Sequence, residues 1–381
     1  MLNIKKIHFK NYINALIIFL LVATPSLKGM LYESSILNFL PLILLIVVIL
    51  MNKGKAPIYN RLNFAVVPSF LSFLLLSFFV SLTLFGNPII EDFIKVILIL
   101  LVTIFLPLTV TFKSLQISFS FLFLWGVFLC VKKVFFVMIF TDNFHYLTVG
   151  YPIAIMIIIS FYKFFFNKKL MLKIFYFSFI IFGFFTLLTL IGRSPIIFPL
   201  FLILLFLIFN FFKEIFTFNI SKIIIYLFTF ICILLVFTYV INNYIDPYLL
   251  GRFLNLLEGS DSRSDAVYLP AIKAITSNFF GYGLGSSTHL IGFYPHNIFL
   301  EIALDTGFLG VVFFISILLK GYKNSIKIIN MKNETFIILV SIFWLTFLFW
   351  NVSYGLSSAY ALFSFLSLVI CYESMKLNKT I

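Results

Sequence analysis

The stretch SRSDAVYLPAIKAITSNFFGYGLGSSTHLIGFYPHNIFLEIALDTGFLG, residues 262–310, joins a polar half to an apolar half. Its first part has helix-compatible spacing over residues 264–278, and a glycine-rich turn follows at residues 281–285. After Pro295 begins an apolar run that is long enough for a membrane-crossing helix, which needs roughly 20 residues. The order of polar loop, turn and apolar helix predicts a membrane protein with a structured loop on one face.

The rest of the chain is as apolar as the end of this stretch. Of its 381 residues, 62% are hydrophobic and only 10% are charged, and the mean hydropathy is +1.16. A soluble domain keeps roughly a quarter of its residues charged. The composition and the helix-length apolar runs therefore predict an all-α polytopic membrane protein, with residues 1–381 forming a single integral membrane domain.

Apolar runs separated by charges or by proline and glycine predict about twelve transmembrane helices. The predicted spans are residues 11–27, 35–51, 62–85, 93–112, 115–131, 146–162, 170–191, 195–212, 223–242, 297–319, 335–352 and 357–372. The short apolar stretch 134–140 is interpreted either as interfacial or as an extension of the fifth span.

The distribution of lysine predicts the orientation of these spans. An even number of spans places both termini on one side, and most of the 27 lysines and arginines fall on that side. Cytoplasmic segments carry an excess of these residues, so both termini are predicted to be cytoplasmic. Residues 243–296 then form one large extracytoplasmic loop that contains short amphipathic helices. Lys132 and Lys133 are exceptions to this partition.

Several functional classes are disfavoured by the same composition. The net charge of +14 does not indicate nucleic-acid binding, because no basic stripe interleaved with stacking aromatic residues is present. The three cysteines, Cys130, Cys232 and Cys371, lie inside apolar runs without metal-ligand spacing and are predicted to be small hydrophobic side chains. The cysteines therefore do not predict a metal site.

The glycine-rich turn at residues 281–285 does not connect a strand to a helix in a βαβ unit, so a dinucleotide-binding fold is excluded by context. Two interpretations remain. The favoured one is a turn that lets the backbone approach the ends of helices closely. The other is a backbone cradle for phosphate.

Arginine is distributed differently from lysine. The chain has four arginines, and three of them, Arg193, Arg252 and Arg263, fall on the predicted outer side. A guanidinium presents a planar fork that matches phosphate oxygens, which an ammonium cannot copy. The alternatives are an interfacial side chain that reaches toward headgroups at Arg193 and local ion pairs at the other two, which flank an acidic segment.

His296 follows a proline and opens an apolar helix. Asn297, Glu301 and Asp305 recur along this helix at four-residue spacing, so they share one face. Carboxylates near the membrane are costly unless they are paired or solvated, and this face is therefore predicted to line a wet cavity. A histidine in this setting is a candidate proton acceptor, whereas His289 has no comparable setting.

Four motifs resemble those of the O-antigen ligase and polymerase superfamily: GRSP at 192–195, R-x4-Y-x2-A-I-x2-I at 263–275, N-x2-G-x-G-x-G at 278–285 and H-N-x3-E at 296–301. The resemblance implies a glycosyltransferase C-type fold in the bacterial inner membrane, with the active site on the extracytoplasmic side. It also implies transfer of a glycan from undecaprenyl diphosphate without metal or cofactor. In-line displacement of the diphosphate would invert the anomeric carbon.

The resemblance assigns roles to the residues that match these motifs. The arginines would neutralise the departing diphosphate, and the histidine would remove a proton from the acceptor hydroxyl. The catalytic candidates are His296, Arg263 and Arg193. The substrate-binding candidates are Arg252, Asn297, Glu301 and Tyr268. The expected partners are an undecaprenyl-diphosphate-linked glycan donor, a glycan acceptor and membrane lipid, with a chain-length regulator and a flippase as further candidates.

Three functions fit this pattern. A polymerase passes the growing glycan to another lipid-linked repeat unit, and a ligase passes it to lipid A-core. The polymerase is favoured because the chain is short and rich in phenylalanine, isoleucine and lysine. A transporter of lipid-linked oligosaccharides would place polar residues in the middle of spans and would show repeated halves, whereas here the polar residues gather in one predicted outer loop.

Overall fold

A computed structural model describes residues 2–30, 36–51, 61–86, 90–136, 146–190, 192–216 and 264–377, together with the single positions 220, 224, 231, 238 and 251. Within these residues the structure is helical and contains no strand. The predicted all-α class is thus confirmed for the described part of the chain. Of the predicted span 223–242 only positions 224, 231 and 238 belong to it, and Cys232 lies outside it.

The described helices are, in chain order, α1 (Leu2–Met30), α2 (Ile36–Met51), α3 (Arg61–Phe85), α4 (Ile90–Thr109), α5 (Phe112–Phe135), α6 (Tyr146–Phe166), α7 (Leu170–Leu188), α8 (Ser194–Phe216), α9 (Leu269–Ser277), α10 (Ser286–Ile291), α11 (Ile298–Asn330), α12 (Glu334–Trp350), α13 (Tyr360–Ile370) and α14 (Tyr372–Leu377). A π-helical turn, Ser264–Tyr268, precedes α9, and a 3₁₀ turn, Leu356–Ser358, precedes α13.

Eight of the described helices are long and apolar enough to cross a membrane, namely α1, α3 to α8 and α11. Three others, α2, α12 and α13, are apolar but shorter. Each predicted span in the described ranges overlaps one of these eleven helices, because charges, proline and glycine interrupt hydropathy where helices end. The described helices are those of a multi-pass membrane protein, and the count of twelve stays a prediction.

The helices fall into two compact units, residues 1–122 with 262–381, and residues 123–261. An aromatic cluster lies in the core of the first unit, where the ring of Phe70 in α3 packs 5.5 Å from Phe314 in α11 and 5.9 Å from Phe363 in α13. All three side chains are buried. The prediction of a single integral membrane domain is not decided by this division and stays a prediction.

In the second unit, α6 lies at the centre, and its residues 149–162 are all buried. Glycines let neighbouring helices approach it. A Cβ on Gly183 of α7 would collide with Ile157 of α6, and a Cβ on Gly150 of α6 would collide with Pro195 of α8. Close approach through small residues is typical of helix packing in membranes, where no hydrophobic force drives helices together.

Contacts at the two ends of the first unit correspond to the two predicted faces of the membrane. At one end Asn14 in the first half of α1 donates a hydrogen bond to the carbonyl of Thr109, the last residue of α4, over 2.7 Å. At the other end the ring of Phe85, the last residue of α3, stacks 4.6 Å from His289 in the segment before α11. The first pair belongs to the predicted cytoplasmic side and the second to the predicted outer side, which agrees with the predicted alternation of the spans.

Candidate functional site

The described part of the predicted outer loop begins with the π-helical turn and α9. The predicted helix over residues 264–278 is confirmed, with a change from π to α geometry after Tyr268. Val267 and Ala271 are buried, and Ala274 and Ile275 are half-buried, so this side of the helix packs on the protein. The half-buried Tyr268 lies where the two helical geometries meet, and its substrate-binding role stays a prediction.

The helix that opens at residue 298 is broken at Gly307, whose φ of 67° and ψ of −164° are not helical. Such a break leaves backbone carbonyls of the preceding turn without their helical donors. The glycine-rich turn supplies replacements, because Tyr282 N donates to Leu304 O over 2.7 Å and Gly283 N donates to Asp305 O over 2.9 Å. The turn therefore repairs the backbone hydrogen bonding of α11.

A third hydrogen bond joins the turn to the far side of the break, where Phe308 N donates to Phe279 O over 3.1 Å. Glycine is needed at this junction, because a Cβ on Gly281 or on Gly307 would collide with the backbone of the other segment. Gly281 has a φ of 83°, in the left-handed region that glycine adopts without strain.

This geometry confirms the favoured interpretation of the glycine-rich turn, which lets the backbone approach a helix closely. It disfavours the alternative of a phosphate cradle. The N–H groups of Tyr282 and Gly283 already donate to carbonyls of α11 and are therefore committed to the fold.

The two carboxylates of α11 are buried, with Glu301 6% exposed and Asp305 2% exposed. Leu356 N donates to Glu301 Oε2 over 2.7 Å, and Ser286 Oγ donates to Asp305 Oδ1 over 3.1 Å. A buried carboxylate is tolerated when it accepts hydrogen bonds. The predicted wet cavity along this face is therefore corrected: protein donors contact both carboxylates. The substrate-binding role of Glu301 stays a prediction.

His296 has a left-handed backbone, with a φ of 54°, immediately before α11. Its ring lies 4.4 Å from the ring of Tyr294, and its Nδ1 lies 3.4 Å from the carbonyl oxygen of Ser353, in the turn after α12. A carbonyl can only accept, so this contact requires the proton on Nδ1. The neutral ring would then carry its basic lone pair on Nε2.

Asn297 caps the first turn of α11. Its side-chain oxygen accepts hydrogen bonds from Phe299 N over 3.0 Å and from Leu300 N over 3.2 Å. These bonds satisfy two of the N–H groups that lack partners at a helix start. The cap fixes the chain next to His296, and the predicted contact of Asn297 with substrate stays a prediction.

The polar start of α4 was not predicted as part of the site, although it lies at the same end of the first unit. Lys95 Nζ lies 2.7 Å from Glu91 Oε1 and 4.0 Å from Asp92 Oδ1. The same helix packs on the 3₁₀ turn Leu356–Ser358. Two acidic residues at the start of an apolar run are favourable for the helix dipole, and this pair was the signal in the sequence.

Arg193 lies in the second unit, at the start of α8. Its carbonyl oxygen accepts hydrogen bonds from Ile196 N and Ile197 N, each over 3.1 Å. The preceding Gly192 packs so closely on the ring of Tyr146 that a Cβ would collide with it. The side chain of Arg193 is half-buried.

The other two candidate arginines, Arg252 and Arg263, lie outside the described residues. The described site around His296 therefore consists of residues of the first unit. Only some of these residues belong to the motifs found in the sequence. Histidine, its aromatic neighbour Tyr294, the cap at Asn297 and the repaired break in α11 are its described components.

No protein-family model matches this chain, and no curated protein matches it. In the described part of the chain, no group of three or more histidine, cysteine, aspartate or glutamate side chains has the arrangement to hold a metal ion. The functional proposal therefore depends on the motifs at residues 192–195 and 263–301 and on the geometry at His296.

Proposed function

We propose that this protein is a membrane glycosyltransferase that polymerises undecaprenyl-diphosphate-linked repeat units on the extracytoplasmic side of a bacterial inner membrane. The setting of His296 carries this proposal. Its imidazole lies at the start of a membrane-length helix, half-buried, beside Tyr294, and its Nδ1 contacts a backbone carbonyl. A general base needs a ring that is held in one orientation and in one tautomer.

The proposed reaction is an in-line displacement at the anomeric carbon of the donor glycan. The hydroxyl oxygen of the acceptor attacks this carbon, and the bond to the diphosphate oxygen breaks with its electron pair on the diphosphate. Nε2 of His296 takes the hydroxyl proton. The donor already carries a good leaving group, so the protein needs to remove a proton and to stabilise negative charge.

Arginine is assigned the second task. The departing diphosphate gains negative charge, which a guanidinium can neutralise through two parallel hydrogen bonds. Arg193 and Arg263 are proposed for this contact, with Arg252 as a binding residue. Lysine cannot reproduce the planar fork, which makes the assignment testable by a substitution that keeps the charge.

The neighbouring elements support the proposed base by fixing its surroundings. The cap at Asn297 holds the start of α11, and Glu301 one turn later accepts a hydrogen bond from Leu356 N. That bond joins α11 to the segment that follows Ser353, whose carbonyl contacts His296. Two contacts therefore hold the same pair of segments together, which limits the movement of the imidazole.

His296→Ala tests the proposal in a strain that lacks the native gene. The variant should remain in the membrane and should fail to extend glycan, leaving single repeat units on the acceptor. His289→Ala is the matched control, because His289 is exposed, lies in the same segment and stacks on Phe85. Normal polysaccharide ladders from His296→Ala would exclude it as the base.

Gel electrophoresis of the polysaccharide from this strain also distinguishes a polymerase from a ligase. Inactivation of a polymerase leaves single repeat units, whereas inactivation of a ligase leaves full-length polymer on undecaprenyl diphosphate. Accumulation of that polymer in the His296→Ala strain would assign the chain to ligation onto lipid A-core.

A transporter is the second candidate, and one observation favours it. Transporters often bind substrates at broken helices, and α11 is broken at Gly307 two residues after the buried Asp305. The carbonyls of Leu304 and Asp305 at this break already accept hydrogen bonds from the glycine-rich turn. They are thus committed to the fold, which favours the glycosyltransferase.

A further inference from the structure

Large apolar side chains are exposed on α9 and on the turn after it, beside the exposed Lys273, Thr276 and Ser277, although this segment belongs to the predicted outer loop. Leu269 and Ile272 on α9 are each 46% exposed, and Phe279 and Phe280 in the turn are 58% and 77% exposed. Clustered apolar side chains of this size on a surface indicate contact with a membrane or a partner. Exposure of such side chains to water is unfavourable for a loop.

This patch continues directly onto a membrane-length helix. The ring of Phe279 stacks on that of Phe308 in α11, with the ring centres 5.1 Å apart. Phe308 begins an exposed stripe of α11 that continues at helical spacing through Val312, Ile315 and Leu319. A stripe of this kind on a helix that crosses the membrane faces acyl chains.

The position of the turn along α11 indicates its depth. Phe308 lies midway along the predicted span 297–319, and the eleven residues on either side of it correspond to roughly 16 Å of helix. That distance is about half of the hydrocarbon thickness. Irregular backbone at such a depth must have its hydrogen bonds satisfied by protein. The bonds between the turn and the break at Gly307 meet this requirement.

We propose that Phe279 and Phe280 insert among the acyl chains of the bilayer, so that the turn is a re-entrant wedge in the membrane. The partner is bulk membrane lipid, because the patch continues the lipid-facing stripe of α11. This inference is independent of the proposed glycosyl transfer, since it depends only on exposed apolar surface and on the packing of the turn on α11.

Site-directed spin labelling in liposomes tests the proposal. Cys130, Cys232 and Cys371 are first replaced by alanine, and single cysteines are introduced by Phe280→Cys, Val312→Cys and Thr288→Cys. Val312 is the reference for the lipid-facing stripe, and the exposed Thr288 on α10 is the reference for the polar side. Collision rates with oxygen report contact with lipid, and those with a polar nickel chelate report contact with water.

The oxygen-to-nickel ratio at position 280 should match that at position 312 and exceed that at position 288 several-fold. A ratio at 280 equal to that at 288 would overturn the proposal, because the turn would then lie in water. Low accessibility to both reagents would overturn it as well, because protein would then cover the patch.

A second measurement keeps all three native cysteines. A benzophenone side chain at position 280 should form adducts with lipid acyl chains on illumination, whereas the same group at position 288 should not. Mass spectrometry of the purified protein detects these adducts. Equal yields at the two positions, or adducts only with protein at 280, would contradict insertion into the bilayer.

Discussion

Replacement of Gly281 by alanine tests the docking of the glycine-rich turn on α11. Gly281 and Gly292 have nearly equal left-handed backbones, with φ values of 83° and 82°. Alanine therefore costs about 1–2 kcal/mol of conformational strain at either position. The sites differ in space, because a Cβ at Gly292 meets nothing within 4 Å, whereas a Cβ at Gly281 would collide with the backbone nitrogen of Gly307. Gly292→Ala is thus the matched control.

The collision at Gly281 can be relieved only if the turn moves away from α11. Such movement breaks the hydrogen bonds that Leu304 and Asp305 carbonyls accept from the turn. A buried carbonyl without a donor costs about 1–3 kcal/mol, so the loss of both bonds costs about 2–6 kcal/mol. We therefore expect Gly281→Ala to be less stable than Gly292→Ala by about 2–6 kcal/mol.

Thermal unfolding of fluorescent fusions in detergent, followed by size-exclusion chromatography, measures this difference. At roughly 2 °C per kcal/mol, the Tm of Gly281→Ala should lie several degrees below that of Gly292→Ala. Both variants place alanine at nearly the same positive φ, so the strain from that angle cancels. Equal Tm values for the two variants would refute the docking of the turn on α11.

Three further outcomes are expected. Asn297→Ala should lower the free energy of unfolding by about 1 kcal/mol, while Asn297→Asp keeps the cap; equal stability of the two would contradict the capping role. Asp305→Asn keeps an oxygen that can accept a hydrogen bond from Ser286, and glycan extension on a gel should remain intact. Loss of glycan extension in this variant, with normal amounts of protein in the membrane, would favour a transporter that needs a titratable carboxylate. Arg193→Lys should reduce glycan extension about tenfold or more, because a charge-assisted hydrogen bond contributes about 1.5–3 kcal/mol; normal ladders would argue against the diphosphate contact.

The helices were predictable from the sequence because their ends coincide with local signals. The predicted span 195–212 overlaps α8, which starts at Ser194 next to a glycine and a proline, and the span 335–352 overlaps α12, which starts after the capping Asn333. Charges and helix-breaking residues interrupt an apolar run at its ends. Local hydropathy therefore carries the information on where these spans begin.

The break in α11 was not predictable, because it depends on a segment more than 20 residues earlier in the chain. The predicted span 297–319 runs through Gly307 without a break, because an isolated glycine inside a helical pattern is tolerated. The break becomes stable only when the N–H groups of the turn replace the lost helical donors. Sequence periodicity reflects only residues that are close in the chain, so it does not reveal a contact between distant segments.

In the candidate site, too, local sequence features were predictable, whereas contacts between distant residues were not. The motif and the position before α11 identified His296, but its contact with Ser353 joins residues 57 positions apart. The bond from Leu356 N to Glu301 joins residues 55 positions apart. These two contacts changed the interpretation of Glu301 from a residue that lines a wet cavity to one that holds two segments together.

Reconstitution with a defined substrate tests whether the protein polymerises lipid-linked repeat units. The purified protein in liposomes is given an undecaprenyl-diphosphate-linked repeat unit, and the lipid products are separated and counted. We expect lipid-linked oligomers with one undecaprenyl diphosphate released for each new glycosidic bond, no product from His296→Ala and normal product from His289→Ala. Movement of the lipid-linked unit across the bilayer without bond formation, or transfer to lipid A-core alone, would contradict this expectation.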